Sequence, residues 1–129
     1  MSVWKSKEHI KEKPWGYETR FGSPFGMSGK RIIINEGHRN SLKYYKIKNQ
    51  LLFCLKGQVK VHAPKEKEFG EKCCEGEGNY FILEPGDYIL IQSENPYRLF
   101  AITDCELLEV AAGPSHGIRQ GLVMLEDDY

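Results

Sequence analysis

The chain has 129 residues, and 18 Lys and Arg balance 18 Asp and Glu for a formal net charge of zero. That length suits one compact domain that buries a core without disulfide staples, and the charge balance gives no sign of the basic surface that nucleic acid requires, so nucleic acid is not the expected partner. Arg, Lys or Glu interrupts every apolar block, so neither a membrane span nor a signal peptide is expected, and the expectation is a cytoplasmic protein.

Residues 1–13 carry Lys and Glu with only Val3, Trp4 and Ile10 as apolar anchors, which reads as an N-terminal arm. After Pro14, the residues Trp15, Tyr17, Thr19 and Phe21 alternate with polar positions in the period of a half-buried strand. A turn-rich stretch from Gly22 to Gly29 leads to a β-branched run, Arg31 to Asn35, which predicts a second strand. Gly37 and Asn40 mark a turn, and Ser41 to Lys46 reads as a third strand with Lys43 and Tyr45 on one face.

Leu51 to Leu55 and Gln58 to His62 read as two strands broken at Lys56 and Gly57, a tight hairpin by residue type. The stretch from Ala63 to Gly78 is dense in Lys and Glu and reads as an exposed excursion. Asn79 to Leu83 and Tyr88 to Gln92 are strands around the turn at Pro85, Gly86 and Asp87. Tyr97 to Ile102 and Glu106 to Ala112 are expected to pair across Asp104, and a tail over 113–129 contains a last apolar stretch, Gly121 to Leu125.

The four cysteines, Cys54, Cys73, Cys74 and Cys105, form no C-x-x-C pair and lie at no zinc-ligand spacing from a histidine, so they read as reduced thiols, with Cys54 in the core. Many short strands, regular turn signals and no helical periodicity predict an all-β fold, a sandwich or a barrel.

The stretch from Gly37 to Gly57, and Pro85-Gly86-Asp87 running on to Tyr97, resemble the two signatures of the cupin superfamily in spacing, though not in the residues that hold metal. Lys13-Pro14-Trp15-Gly16-Tyr17-Glu18, Gly37-His38-Arg39, Ser41-Leu42, Glu106-Leu107-Leu108-Glu109-Val110 and the terminal Leu125-Glu126-Asp127-Asp128-Tyr129 are similar to the small cupin related to type II mannose-6-phosphate isomerase. That domain also occurs fused to mannose-1-phosphate guanylyltransferase, whose nucleotide-transferring part has no counterpart here. The resemblance implies a double-stranded β-helix, the jelly-roll barrel, over residues 14–112, with a sugar-sized central pocket.

In the family a divalent metal is held by His or Gln, His, Glu and His. Carried over, these positions fall on Lys43, Tyr45, Gln50 and Tyr97. A fixed cation, two phenols and a neutral amide are a poor ligand set, so no metal and no cofactor is expected. His38 and His62 lie at no position where the family places a ligand.

The same four residues suit a small-molecule sugar ligand: Lys43 pairs with a phosphate, the Tyr45 and Tyr97 rings stack on sugar faces, and Gln50 fixes a hydroxyl. Equally open is a self-satisfied cage, in which Lys43 takes the metal's place and donates to Gln50 and the tyrosine hydroxyls. The expected function is a metal-free cupin that binds a sugar phosphate or sugar nucleotide in carbohydrate metabolism, such as polysaccharide biosynthesis.

Two alternatives are enzymes, with no catalytic residue assigned. One is a sugar-phosphate isomerase working without metal, using Glu18 or a tyrosinate; the other is a metal-independent sugar-nucleotide epimerase with Tyr45 or Tyr97 as acid. Lys30 and Arg31 open the second strand, where a phosphate contact at the pocket mouth is one reading. Arg98 reads as facing outward because it must point opposite to Tyr97. Trp15, Tyr17 and Tyr80 read as core and interface. Small cupins tend to pair, which predicts a homodimer.

Overall fold

Alternation of apolar and polar side chains gives a strand of a two-layered fold one face that leaves water and one that does not. β10 is the plainest case: over Cys105–Ala112, Cys105, Leu107, Glu109 and Ala111 are buried while their neighbours are not. The computed structural model describes residues 3, 5–22, 27–64, 78–113 and 122–124. Trp4, the Cys73–Cys74 pair, the bulk of the Lys/Glu excursion and the terminal Leu125–Tyr129 motif lie outside the described residues.

The described strands are β1 (His9–Lys13), β2 (Gly16–Arg20), β3 (Met27–Ile34), β4 (Lys43–Tyr45), β5 (Asn49–Lys56) and β6 (Val59–Pro64). They continue with β7 (Gly78–Leu83), β8 (Tyr88–Ile91), β9 (Arg98–Ala101), β10 (Cys105–Ala112) and β11 (Leu122–Met124), and no helix occurs among the described residues. Two boundaries move. Residues 9–13, expected in an N-terminal arm, pair antiparallel with β2 around the turn at Pro14 and Trp15, and residues 122–124, expected in a tail, pair with β4.

One sheet runs β1-β2-β3-β10-β5-β8 and a second runs β7-β6-β9. A two-stranded unit, β11-β4, joins the second sheet because Lys43 and Tyr97 exchange backbone hydrogen bonds of 3.2 and 3.0 Å. The two layers close over a core of Ile32, Ile34, Leu52, Cys54, Val59, Val61, Leu99 and Leu107, the arrangement of a double-stranded β-helix.

This topology corrects both predicted hairpins. β5 pairs with β10 and β8, whereas β6 pairs with β7 and β9, so Lys56 and Gly57 carry the chain from one sheet to the other instead of folding it back. β9 and β10 are likewise in different sheets. The physical reason is common to both: short polar turns between apolar strands serve sheet changes as well as hairpins, and burial of both inner faces favours the change.

Gly57 makes the first crossing possible. Its φ of 76° lies in the left-handed region, and a Cβ there would overlap the Asp104 carbonyl oxygen, so any other residue meets both strain and collision. Cys54 and Cys105 are free buried thiols. Burial pushes both upward, Cys105 to about 11, which leaves them protonated near neutrality.

Candidate functional site

One end of the barrel breaks the apolar rule. Along β3, Lys30 shares the inward parity of Ile32 and Ile34; along β2, Glu18 and Arg20 point the same way; along β10, Glu109 follows Leu107 inward; and along β5, Gln50 precedes Leu52. The register sets these residues side by side. Arg20 lies opposite Lys30, Lys30 opposite Glu109, and Gln50 is one pair further along, opposite Ala111.

Two cations directly opposite each other repel, and Glu18 offsets them. Its Oε1 accepts from Arg20 Nε and Nη2 at 2.8 and 2.6 Å, and its Oε2 accepts from Lys30 Nζ at 3.4 Å. Lys30 Nζ also lies 3.7 Å from Glu109 Oε2. Lys48, buried between β4 and β5, reaches the same oxygen at 4.0 Å and lies 3.8 Å over the Tyr45 ring.

Burial alone would raise the Glu18 carboxyl, but Lys30 and Arg20 beside it hold it at about 2. Burial would lower Lys30, and Glu109 and Glu18 reverse this to raise it. Lys48 has less compensation, and burial lowers it. Burial pushes the Tyr97 phenol well above its ordinary range, reinforced by Glu109, so Tyr97 stays a neutral hydroxyl.

The four residues singled out from the sequence are brought together. Gln50 Nε2 donates to Tyr97 Oη at 2.8 Å and to Glu109 Oε1 at 2.6 Å, and Lys43 Nζ stands 5.1 Å from the Tyr97 ring centre. Lys43, Tyr45 and Tyr97 line a cavity of about 60 Å³, into which Lys13, Arg20 and Lys30 also face, against Glu18 and Glu109. Trp15 forms part of the wall, and its buried indole N–H has no hydrogen-bond partner among the described residues.

Sequence reasoning places Lys30 at the mouth and gives Glu109 and Lys48 no role. The parity of Lys30 with Ile32 and Ile34 is the available signal. Glu109 is harder, because Leu107 and Leu108 are both apolar and leave the inward face of β10 ambiguous.

The donor set does not fit the divalent ion that cupins of this spacing carry. An ammonium, two phenols and an amide already committed to Tyr97 and Glu109 stand at the four positions, and no three His, Cys, Asp or Glu side chains among the described residues are placed to hold a metal. The cluster can instead receive an anion, since among the described residues lining the cavity cations outnumber carboxylates.

The Glu18 carboxylate makes stability depend on acid. Its folded value lies below its ordinary 4.5, so its contribution is complete above about pH 4.5 and is lost as pH falls toward 2. We expect the protein to lose about 2 kcal/mol over that window, allowing for solvent screening. Urea unfolding at about pH 6 and about pH 3 measures it, and Glu18→Gln should flatten the slope; an unchanged slope would assign the acid sensitivity elsewhere.

No family model matches the chain and no curated protein matches it. Solved structures do match. Oxalate decarboxylase from Bacillus subtilis at pH 4.6 has a TM-score of 0.74 at 16% identity, over 97% of this chain and 33% of its own. Lactobacillus farciminis oxalate decarboxylase in its formate complex has a TM-score of 0.69 at 16% identity, over 91% and 36%. CapF with the inhibitor 3-isopropenyl-tropolone has a TM-score of 0.75 at 12% identity, over 95% and 36%.

These are cupin-fold proteins, and the chain shares that fold. It spans about a third of the length of each. Identities this low establish architecture and leave the chemistry to the site.

Proposed function

We propose that the protein is a metal-free cupin that binds an anionic carbohydrate, a sugar phosphate or sugar nucleotide, in carbohydrate metabolism. The observation that carries this reading is the cavity lined, among the described residues, by Lys13, Arg20, Lys30 and Lys43 together with Glu18 and Glu109. The similarity of the KPWGYE stretch and its companions to the small mannose-6-phosphate isomerase cupin supports a sugar as the rest of the ligand.

Size sharpens the pose. A void of about 60 Å³ is less than half the ~150 Å³ that admits a benzene ring. It takes a phosphate group but not a hexose, so the phosphate enters first and the sugar stays at the mouth. Trp15, whose buried N–H has no hydrogen-bond partner among the described residues, lines the same cavity.

Calorimetric titration tests this. Mannose 6-phosphate should bind, unphosphorylated mannose should not, and inorganic phosphate should compete. Lys43→Gln should weaken binding at least about tenfold, the value of one charge-assisted contact. Equal binding of mannose and its phosphate would sink the phosphate-first pose, and turnover to the ketose phosphate would replace the binder with the isomerase.

A further inference from the structure

The inward parity of Val59 and Val61 in β6, and of Leu99 and Ala101 in β9, commits their neighbours to the outer face of the second sheet. There His62 lies opposite both Tyr80 and Arg98, and Lys60 lies opposite Phe100, which is bridged in turn to Arg39. Across these rows rings and cations are neighbours. Tyr80 and His62 are stacked, with centroids 4.5 Å apart and planes 7° from parallel, and Lys60 Nζ stands 4.5 Å from the Tyr80 centroid.

These side chains, with His38, line a groove of about 470 Å³. Among the described residues lining it none is acidic, although the chain as a whole is neutral. The volume falls in the roughly 300–1,000 Å³ range of small-molecule sites, and the groove lies on the opposite side of β6 and β9 from the barrel core.

We propose that this groove is a second ligand site, for a nucleotide. Two guanidinium groups, Arg39 and Arg98, match phosphate oxygens by their planar fork. Phe100, 39% exposed, and Tyr80, 47% exposed, offer ring surface that a phosphate alone would leave in water. Phosphate and a planar base in one molecule satisfy both halves. The zero net charge and the single-ligand size disfavour a longer polynucleotide.

The test is calorimetric titration of the full chain with ADP and GDP, beside inorganic phosphate, adenosine and a single-stranded oligonucleotide. A nucleoside diphosphate should bind more tightly than phosphate or adenosine, and less tightly as salt rises. Arg98→Gln, Phe100→Ser and Lys60→Gln should each weaken it about tenfold or more, in variants whose melting temperatures show them folded. Lys43→Gln, in the barrel cavity, should leave this binding unchanged. Three results would overturn the site: no binding at millimolar nucleotide, phosphate or the oligonucleotide binding the Lys43→Gln variant as tightly as the diphosphate does, or loss of binding in Lys43→Gln alone, which would place the nucleotide inside the barrel.

Discussion

Glu109→Leu should lower stability by about 3 to 5 kcal/mol, the usual consequence of removing one partner from a buried ionic cluster. Glu109 is 1% exposed and is shared by four groups: Lys30 at 3.7 Å, Lys48 at 4.0 Å, Gln50 at 2.6 Å and the Tyr97 hydroxyl, which donates to it at 3.5 Å. Leucine matches its bulk but none of its charge. Lys30 would then rely on its 3.4 Å pair with Glu18, and Lys48 on the face of the Tyr45 ring.

The cost therefore lies in what is stranded, and this gives the measurement an internal control. Adding Lys30→Met and Lys48→Met to Glu109→Leu replaces the cluster with apolar side chains and should recover much of the loss, because well-packed apolar substitutes for buried ion pairs are often neutral. Urea midpoints of the single and triple variants decide it. A single variant within about 1 kcal/mol of the parent would mean that water reaches the lysines and the cluster is not a coupled unit.

Gly57→Ala should cost about 3 kcal/mol or more. A left-handed residue with a Cβ is penalised by roughly 1–2 kcal/mol, and here the new methyl also collides with the Asp104 carbonyl and lies 2.8 Å from Thr103 Oγ1. Neither neighbour is free to move: Thr103 Oγ1 accepts from Gln58 N at 2.9 Å, and the backbone N–H groups of Ile102 and Thr103 both donate to the Gln58 carbonyl, at 3.0 and 3.3 Å.

Gly86→Ala separates the two contributions. Gly86 has a φ of 98°, but a methyl added there would meet nothing within 4 Å, so it should show the backbone penalty alone, about 1 kcal/mol. Thermal melts of the pair should rank Gly57→Ala as clearly the worse. Equal losses would mean that the crossing between sheets relaxes around the methyl and that Gly57 serves only its φ.

The strands and their turns were legible because period-two alternation and glycine placement are local properties. Trp15 to Phe21, the isoleucine run before Asn35, and the turns at Gly37, Gly57 and Gly86 all announce themselves within a few residues. Strand partners were not legible. Lys56-Gly57 and Asp104 look like hairpin turns, and only burial of two facing sheets, a global condition, makes them crossings.

The site divides the same way. Lys43, Tyr45, Gln50 and Tyr97 could be found because spacing relative to glycines places them, and the structure groups them at one end of the barrel. Glu109 and Lys48 could not, since a charged residue reads as solvated until its partners are known. Glu109 meets Lys30 of β3 and Gln50 of β5, and Lys48 meets Glu109, all distant in sequence.

β10 lies between β3 and β5 at the centre of the six-stranded sheet, and this has a kinetic consequence. It reaches back to Met27–Ile34 on one side and Asn49–Lys56 on the other, so the sheet cannot close until everything from Met27 to Ala112 has left the ribosome. Long loops must be closed before those contacts return any free energy, which places folding in the slow regime of roughly milliseconds to seconds. Until β10 arrives, β3 and β5 have bare edges facing each other across the gap it will fill.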